Sequence, residues 1–506
     1  MNTFTLYCVL CLYATSSHAR TILNQYNIKR NQLLQEEIVS SVGGELILND
    51  DEKAANEILM HWKNQEIDES FQNPKYFNFS RHYFTYKKYI EASKVYQIIR
   101  RMPKGAALHI HSSQMLDADS LLKLTYESHL YACYSEDDFS LQFSDTVPSR
   151  PCSVKWSLLS ELRNNSDDVE SFDLELKNRF TMHSEDVDDY DADINTVWSR
   201  FNKAYQAVKP LIAYRPAREK FFYAALKNFY DDNVMYVEIR SGLHQLHELN
   251  GTLHEKTYLA ELYRNVARKF KDDYPDFIGV KFILTRHRLG NIAEIRKTLD
   301  FARKLKRDMP DMFAGFDLVG QEDLGRPLSD FLPALIEAKD ELSYYFHGGE
   351  TNWYGTATDE NLIDAILLGS KRIGHAYALV KHPNLLTAVK QKDIALEVNV
   401  ISNIVLSLVR DVRNHPLATY LALGLPVVLS SDDPGAWGAD PLSHDFYVAF
   451  VGIASKHADI RLLKQLAINS IRYSALDDKD KTQFFKIFNY RWNCFIKDII
   501  KHDKRK

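Results

Sequence analysis

Four short stretches of the chain carry residues that could share one piece of chemistry: His109-Ile110-His111, His347-Gly348-Gly349-Glu350, His375 and Asp432-Asp433. Imidazole nitrogen and carboxylate oxygen are ligands suited to a single Zn²⁺. Brought together from separate segments, they would enclose one side of the metal and leave a position for water. Zn²⁺ lowers the pKa of such a water from about 16 towards about 7, which yields hydroxide at neutral pH. Glu350, three residues past His347, could move a proton beside it. Each stretch alone is weak evidence. One H-x-H suits two surface histidines as well as a metal.

The elements around these residues supply the reason to group them. Side chains alternate along a strand, so His109 and His111 share one face of a strand over Ala106–His111. The aromatic run Tyr344–Phe346 stops abruptly at His347 and two glycines. Further strands are expected at Val234–Arg240, Gly279–Thr285, Ala314–Gly320, Tyr344–His347, Arg372–His375, Ile394–Val400 and Pro426–Ser430. Amphipathic segments such as Leu259–Asp272, Ile292–Arg307 and Asn361–Leu368 lie between them. Such alternation indicates a parallel sheet, and eight units favour a closed (β/α)₈ TIM barrel of the α/β class. The C-terminal strand ends of a barrel converge on one mouth, and the polar residues above sit at those ends. No G-x-G-x-x-G follows the first strand, which argues against a dinucleotide fold.

A chain of 506 residues with 45% apolar content suits a large barrel with additions. Residues 4–13, FTLYCVLCLY, read as the apolar part of a signal peptide over 1–19, cut near Ala19 and too short to span a membrane. The mature protein is therefore expected to be secreted, without membrane insertion. Residues 20–103 are expected to be helical, with helices at Asn27–Ile38, Asp51–Lys63 and Tyr83–Arg100 that pack or associate. The barrel is assigned to 104–124 and 196–506, with an insertion over 125–195. That insertion shows poor periodicity and holds Trp156 and an acidic run, Ser184–Asp193, read as a solvated loop. Cys133 and Cys152 would pair in an oxidising compartment, the alternative being two free thiols. Cys494 is left over and is expected to be buried in the C-terminal helical region, which ends in a frayed basic tail at Lys501–Lys506. Asn78, Asn164 and Asn250 head glycosylation sequons. A net charge of −5 gives no footprint for nucleic acid.

Two chemistries compete for such a site. Binuclear amidohydrolases commonly bridge two metals with a modified Lys on the fourth strand, and Ala314–Gly320 contains no Lys. One metal with a separate Glu suits attack on an aromatic C–N centre. The Glu protonates a ring nitrogen, water oxygen adds to the adjacent carbon, and ammonia leaves.

M-P-K-G-A-x-L-H-x-H, H-x-G-E-T-x-W, R-I-G-H and S-S-D-D-P occur in this order. Together they resemble the adenosine deaminases, and most of all the secreted adenosine deaminase growth factor family. G-G-E-L-I-L-N, V-W-S-R-F, F-D-L-V-G and L-A-I-N-S-I-R-Y-S extend the resemblance over nearly the whole mature chain. It implies one Zn²⁺ per chain on His109, His111, His347 and Asp432. It implies Glu350 as proton donor to the purine, His375 as the residue orienting the attacking oxygen, and Asp433 on the base. Gly325 or Arg326, Trp353 and Trp198 would contact or line the nucleoside pocket. The resemblance further implies adenosine as substrate, a homodimer through the N-terminal helices, and a receptor- or glycan-binding role for the insertion. The chain departs from the family pattern in four places. Ser112 stands where an Asp binds ribose, Gln321 replaces a His, H-A-G-E has become H-G-G-E, and R-I-G-H-G-F has become R-I-G-H-A-Y. A second reading, favoured by Ser112, is a catalytically weak signalling protein acting through its N-terminal helices and insertion. A third, disfavoured by the missing Lys, is a hydrolase of another substrate class.

Overall fold

The computed structural model describes residues 3–73, 78–135, 138–184 and 192–503, with side chains from residue 21 onwards. Eight parallel strands form the centre: β1 Gly105–His111, β2 Val234–Ser241, β3 Gly279–His287, β4 Phe313–Val319, β5 His347–Gly348, β6 Arg372–His375, β7 Ala395–Val398 and β8 Val427–Leu429. They pair in two four-stranded sheets, β1-β2-β3-β4 and β5-β6-β7-β8. Two isolated bridges, Phe316 to Tyr344 and Ile110 to Asp432, close them into a barrel. The fold is therefore the (β/α)₈ barrel expected from the alternation. Strands buried on both faces read as near-continuous apolar runs, as β2 does: all eight of its residues are buried. β5 is shorter than expected. Only His347 and Gly348 form a ladder, and the aromatic run before them touches β4 through a single bridge.

Helices α1 Thr3–Ser40, α2 Asp50–Gln72, α3 Tyr83–Ala92 and α4 Lys94–Arg101 precede the barrel. The single helix expected over 83–100 is split at Ser93. Its backbone is extended, and its Oγ accepts the Tyr96 N–H at 3.1 Å to cap α4. A capping box between Asn49 and Glu52 starts α2, and Glu52 also accepts from Trp492 Nε1 at 2.8 Å. That bond ties α2 to the C-terminal helix Asp478–Lys501. By contrast, Ile22, Leu23, Tyr26, Ile28 and Leu33 on α1 are each more than half exposed. No helix among the described residues is long and apolar enough to cross a membrane.

The insertion is more ordered than its poor periodicity suggests. Leu130–Tyr134 pairs antiparallel with Phe139–Phe143 and with Ser157–Leu158, and helices Leu159–Asn164 and Val169–Asn178 follow. Buried Leu141, Phe143, Leu159, Leu176 and Phe180 contribute to its packing. Strand Leu130–Tyr134 buries the adjacent Ala132 and Cys133, which breaks the alternation that would mark it. Cys133 and Cys152 are disulfide-bonded, with Cα atoms 5.8 Å apart. Most of the acidic run, residues 185–191, lies outside the described residues, as do the last three residues of the basic tail and the side chains of the leader. Cys494 is exposed rather than buried. The buried stripe of its helix is Phe484, Phe488, Trp492, Phe495, Ile496 and Ile499, and position 494 falls off that stripe. Asn164 and Asn250 are exposed, whereas Asn78 is half-buried.

The disulfide closes a loop with a sequence separation of 19. Loop entropy for that size is worth about 3 kcal/mol. Replacing both cysteines by serine is expected to speed limited proteolysis within 125–184 by at least tenfold, with the barrel fragment left intact on a gel.

Candidate metal and catalytic site

Four strands deliver side chains to one point at the barrel mouth. His109 and His111 come from β1, His347 begins β5, His375 ends β6, and Asp432 follows β8. One ligand atom each from His109, His111, His347 and Asp432 fits within 4.8 Å. His109 Nε2 and His111 Nε2 lie 3.3 and 3.1 Å from Asp432 Oδ1, and His109 Nε2 lies 3.1 Å from His347 Nε2. The alternation along β1 thus puts both of its histidines on the same carboxylate.

Asp432 has φ +60 and His375 has φ +60, a left-handed backbone that side chains with a Cβ rarely adopt. Asp432 is held there by β1. Its N–H donates to His109 O at 3.0 Å, and its carbonyl accepts the His111 N–H at 2.9 Å. Gly374 explains the glycine of R-I-G-H: a Cβ there would stand 2.8 Å from His109 Cε1. β6 can cross this close to the imidazole only without a side chain.

Beneath the histidines lies a layer of buried charge. His109 Nδ1 is 2.7 Å from Glu397 Oε2, and His347 Nδ1 is 2.7 Å from Asp317 Oδ2. Arg240 bridges the two carboxylates, donating from Nε to Asp317 at 2.8 Å and from a terminal nitrogen to Glu397 at 2.7 Å. Arg372 pairs with Glu397 and Glu238. Burial opposes ionisation of Glu397, but Arg240 and Arg372 outweigh it and hold the carboxyl well below its usual range. Burial pushes the His347 imidazole down to about 3, so the ring is neutral.

These bonds test whether a cation fits. With each Nδ1–H committed to a carboxylate, the Nε2 atoms of His109 and His347 both present lone pairs, 3.1 Å apart. Asp432 Oδ1 is buried without a hydrogen-bond partner beside them. Two facing lone pairs and an adjacent carboxylate repel one another until a cation sits among them, and His111 Nε2 stands 3.1 Å from the same carboxylate oxygen. A histidine whose outer nitrogen is held by a carboxylate is the usual arrangement behind a metal ligand. The cluster fits a metal ion.

Glu350 and His375 stand beside it, both buried, with Glu350 Oε1 3.5 Å from His375 Nδ1. Burial, reinforced by Asp432 and Glu322 and opposed by Arg288, raises the Glu350 carboxyl well above its usual range. Burial and the adjacent Asp432 do the same to Asp433. Burial also keeps the His375 imidazole neutral, well below its usual range. All three groups face a cavity of about 790 Å³ at the barrel mouth. A second cavity, of about 840 Å³, lies between the N-terminal helices and Val448–Ile453, away from this cluster.

Ser112 and Trp198 line the mouth cavity, while Gly325, Arg326 and Trp353 do not. Trp353 is 63% exposed, and Arg326 turns outward to Asp330 at 2.7 Å. The E-D-L-G-R loop instead buttresses Glu350. Glu322 accepts the Gly349 N–H at 3.0 Å, and Asp323 accepts from Thr351 Oγ1 at 2.6 Å. The residue of that region which does line the cavity is Gly320. Its φ is +102, and a Cβ there would stand 2.5 Å from His287 Nε2. Sequence reasoning missed Gly320, Asp317, Glu397 and Arg240. For Asp317, Glu397 and Arg240 the signal was a charged residue inside an apolar strand, as in VMYVEIR, FDLV and ALEV.

A sequence model of the adenosine deaminase family matches residues 165–488, and one for the adenosine/AMP deaminase N-terminal region matches residues 5–99. The chain is 42% identical over 499 residues to adenosine deaminase 2 of Homo sapiens, covering 97% of each. It is 39% identical over 503 residues to an adenosine deaminase of Phlebotomus duboscqi, again covering 97% of each. Among solved structures, an Arabidopsis N6-mAMP deaminase superposes with a TM-score of 0.55 at 20% identity, over 78% of this chain and 99% of that one. An amidohydrolase of B. ambifaria with bound Zn gives 0.55 at 17% identity, over 80% and 94%. At these identities the two structures show the fold.

Asp317→Asn and Glu397→Gln each remove the charge that orients one histidine. Each is expected to weaken metal retention by about 10–100-fold. Metal content after dialysis against graded chelator checks this. Retention equal to the parent protein would mean that the carboxylates do not orient the histidines.

Proposed function

The chain belongs to the adenosine deaminase family and is a hydrolytic deaminase; on that premise we propose that it converts adenosine, and 2′-deoxyadenosine, to inosine and ammonia, with one Zn²⁺ on His109, His111, His347 and Asp432. The observation that carries this reading is a set of inward lone pairs at the floor of a cavity that also holds buried Glu350, whose carboxyl burial raises above its usual range.

Zinc held there supplies the Lewis acidity that makes water a nucleophile at neutral pH. The chain's residues do the rest. Glu350 gives its proton to N1 of the purine, which draws electron density from C6 and opens that carbon to water oxygen. His375 is neutral and hydrogen-bonds the oxygen on its approach. Asp433, its carboxyl raised above the usual range by burial and by Asp432, offers a hydrogen bond to the base. Trp198 and Gly320 border the ring. One proton of the water passes to the amino group, the C6–N bond breaks and ammonia leaves, and the other proton returns to Glu350 as the carbonyl of inosine forms.

The same reading places the protein outside the cell. The apolar leader, the Cys133–Cys152 bridge and the exposed Asn164 and Asn250 support secretion and glycosylation. A growth-factor-like effect would follow from depletion of extracellular adenosine. The exposed apolar residues of α1 support a homodimer, and the insertion, with its own antiparallel sheet, supports a receptor or glycan contact. A second reading, a catalytically weak signalling protein, draws on Ser112. Here Ser112 Oγ accepts from Arg218 at 3.2 Å, where an Asp would accept a ribose hydroxyl.

Loss of adenosine's ultraviolet absorbance on addition of the purified protein tests the activity. Glu350→Gln is expected to lower kcat by about 10²–10⁴-fold while zinc content stays at one per chain. A fully active variant would remove Glu350 from the mechanism. Ser112→Asp restores a carboxylate beside buried Arg218. A hydrogen bond to a charged group is worth about 1.5–3 kcal/mol, so kcat/KM for adenosine should rise at least tenfold. An unchanged value would sink the idea that Ser112 weakens ribose recognition.

A further inference from the structure

We infer that Asn403 and His415 are positioning residues that fix the tautomer of His375 and keep its inner nitrogen from competing for Glu350. The inference deepens the deaminase reading and rests on it. Neither residue lines the mouth cavity. Asn403 lies on the short helix Val400–Val405 after β7, and His415 follows the turn Val412–Asn414.

The direction of each hydrogen bond follows from its fixed end. The Leu417 backbone N–H, which can only donate, meets His415 Nδ1 at 3.0 Å. His415 Nδ1 is therefore an acceptor, and its neutral ring carries hydrogen on Nε2. That Nε2–H donates to Asn403 Oδ1 at 3.0 Å. The amide is thereby oriented, with Nδ2 turned to His375 Nδ1 at 3.4 Å. His375 Nδ1 is in turn an acceptor, and its hydrogen sits on Nε2. That nitrogen faces Asp432 Oδ2 across 3.9 Å, on the side where the attacking oxygen must stand. Asn403, His415 and His375 are all buried, at 0%, 3% and 2% exposure, so no solvent water competes for these bonds.

The second effect concerns Glu350. Its Oε1 is 3.5 Å from the same His375 Nδ1, yet it has no hydrogen-bond partner. The Asn403 amide holds the one lone pair that Nδ1 offers. Glu350 therefore stays directed at the cavity rather than at His375. The strained backbone of His375 and Ala376, with φ +60 and +49, shows that this segment is held in place by its surroundings. Tyr420 contributes by donating to Ala376 O at 2.7 Å.

Asn403→Asp keeps the shape and puts an acceptor where the amide donated. The hydrogen of His375 must then move to Nδ1. The full-length zinc protein is expected to lose about 10²-fold in kcat, since a reacting group displaced by an ångström costs that much. KM should stay within twofold. His415→Leu frees the amide to turn and should fall between parent and Asn403→Asp. His415→Gln, which can donate to Asn403 Oδ1, should recover most of the rate. Imidazole ¹⁵N shifts of the metal-free protein give a second readout, with His375 assigned from its own variant. They should report an Nε2–H ring in the parent and an Nδ1–H ring in Asn403→Asp. The inference is overturned if Asn403→Asp keeps the parental kcat, if KM rises in step with the loss, or if the ring hydrogen does not move. A parent protein that leaves adenosine unchanged would instead overturn the deaminase reading, and the ¹⁵N shifts would still judge the tautomer.

Discussion

Everything at the mouth of this barrel depends on one guanidinium at its centre. Arg240 is fully buried and donates to Asp317, to Glu397 and to the carbonyls of Leu108 and Tyr345. Removing such charges from water costs several kcal/mol per ion, repaid only when every partner is satisfied. Here the same bonds that satisfy the arginine place a carboxylate behind His109 and another behind His347. Orientation of two histidines and stability of the barrel interior are one interaction. Breaking one partner of such a pair costs about 3–5 kcal/mol, because it leaves the other charge buried and alone.

Closure of the barrel and assembly of the site also coincide. β1 and β8 form no regular ladder, and Asp432 joins them through its backbone. The strand that brings His109 and His111 is thus registered against the residue that supplies the carboxylate. A shift of one residue would turn both histidines away from Asp432. The left-handed φ of Asp432 is the local cost of this arrangement, and paired backbone groups on both sides sustain it.

Much of this was legible in the chain. Buried parallel strands are apolar throughout, so Val234–Arg240 and Gly279–Thr285 announced themselves, and the polar residues ending each strand marked the mouth. What stayed hidden depends on three-dimensional neighbours. Asp317, Glu397 and Arg240 look like isolated charges in apolar strands until the barrel closes and sets them against each other. The resemblance points to Gly325 or Arg326 in the fourth-strand loop, whereas Gly320 is the glycine that lines the cavity, because spacing does not reveal where a loop leaves the mouth. The family resemblance put Trp353 at the pocket, yet two glycines and the Thr351–Asp323 bond turn the chain outward before it. Ser93 splits a helix whose apolar spacing continues straight through the break, since capping by a side chain leaves no mark on periodicity.

The four departures from the family pattern fall where change is cheap. None touches the buried charge layer, in which a single substitution strands an ion. Ser112 lies one residue beyond the histidine pair, and its replacement of a carboxylate leaves Arg218 with Nε and one terminal nitrogen unpartnered at full burial. On the proposed reading, that difference bears on how the sugar is held. It leaves Glu350, His375 and the ligand set untouched. The surroundings of Ser112 and the floor of the site therefore rest on separate physical supports: Arg218 holds the first, and Arg240 with its two carboxylates holds the second. On the proposed reading, a chain built this way can lose affinity for a nucleoside without losing the step that removes its amine.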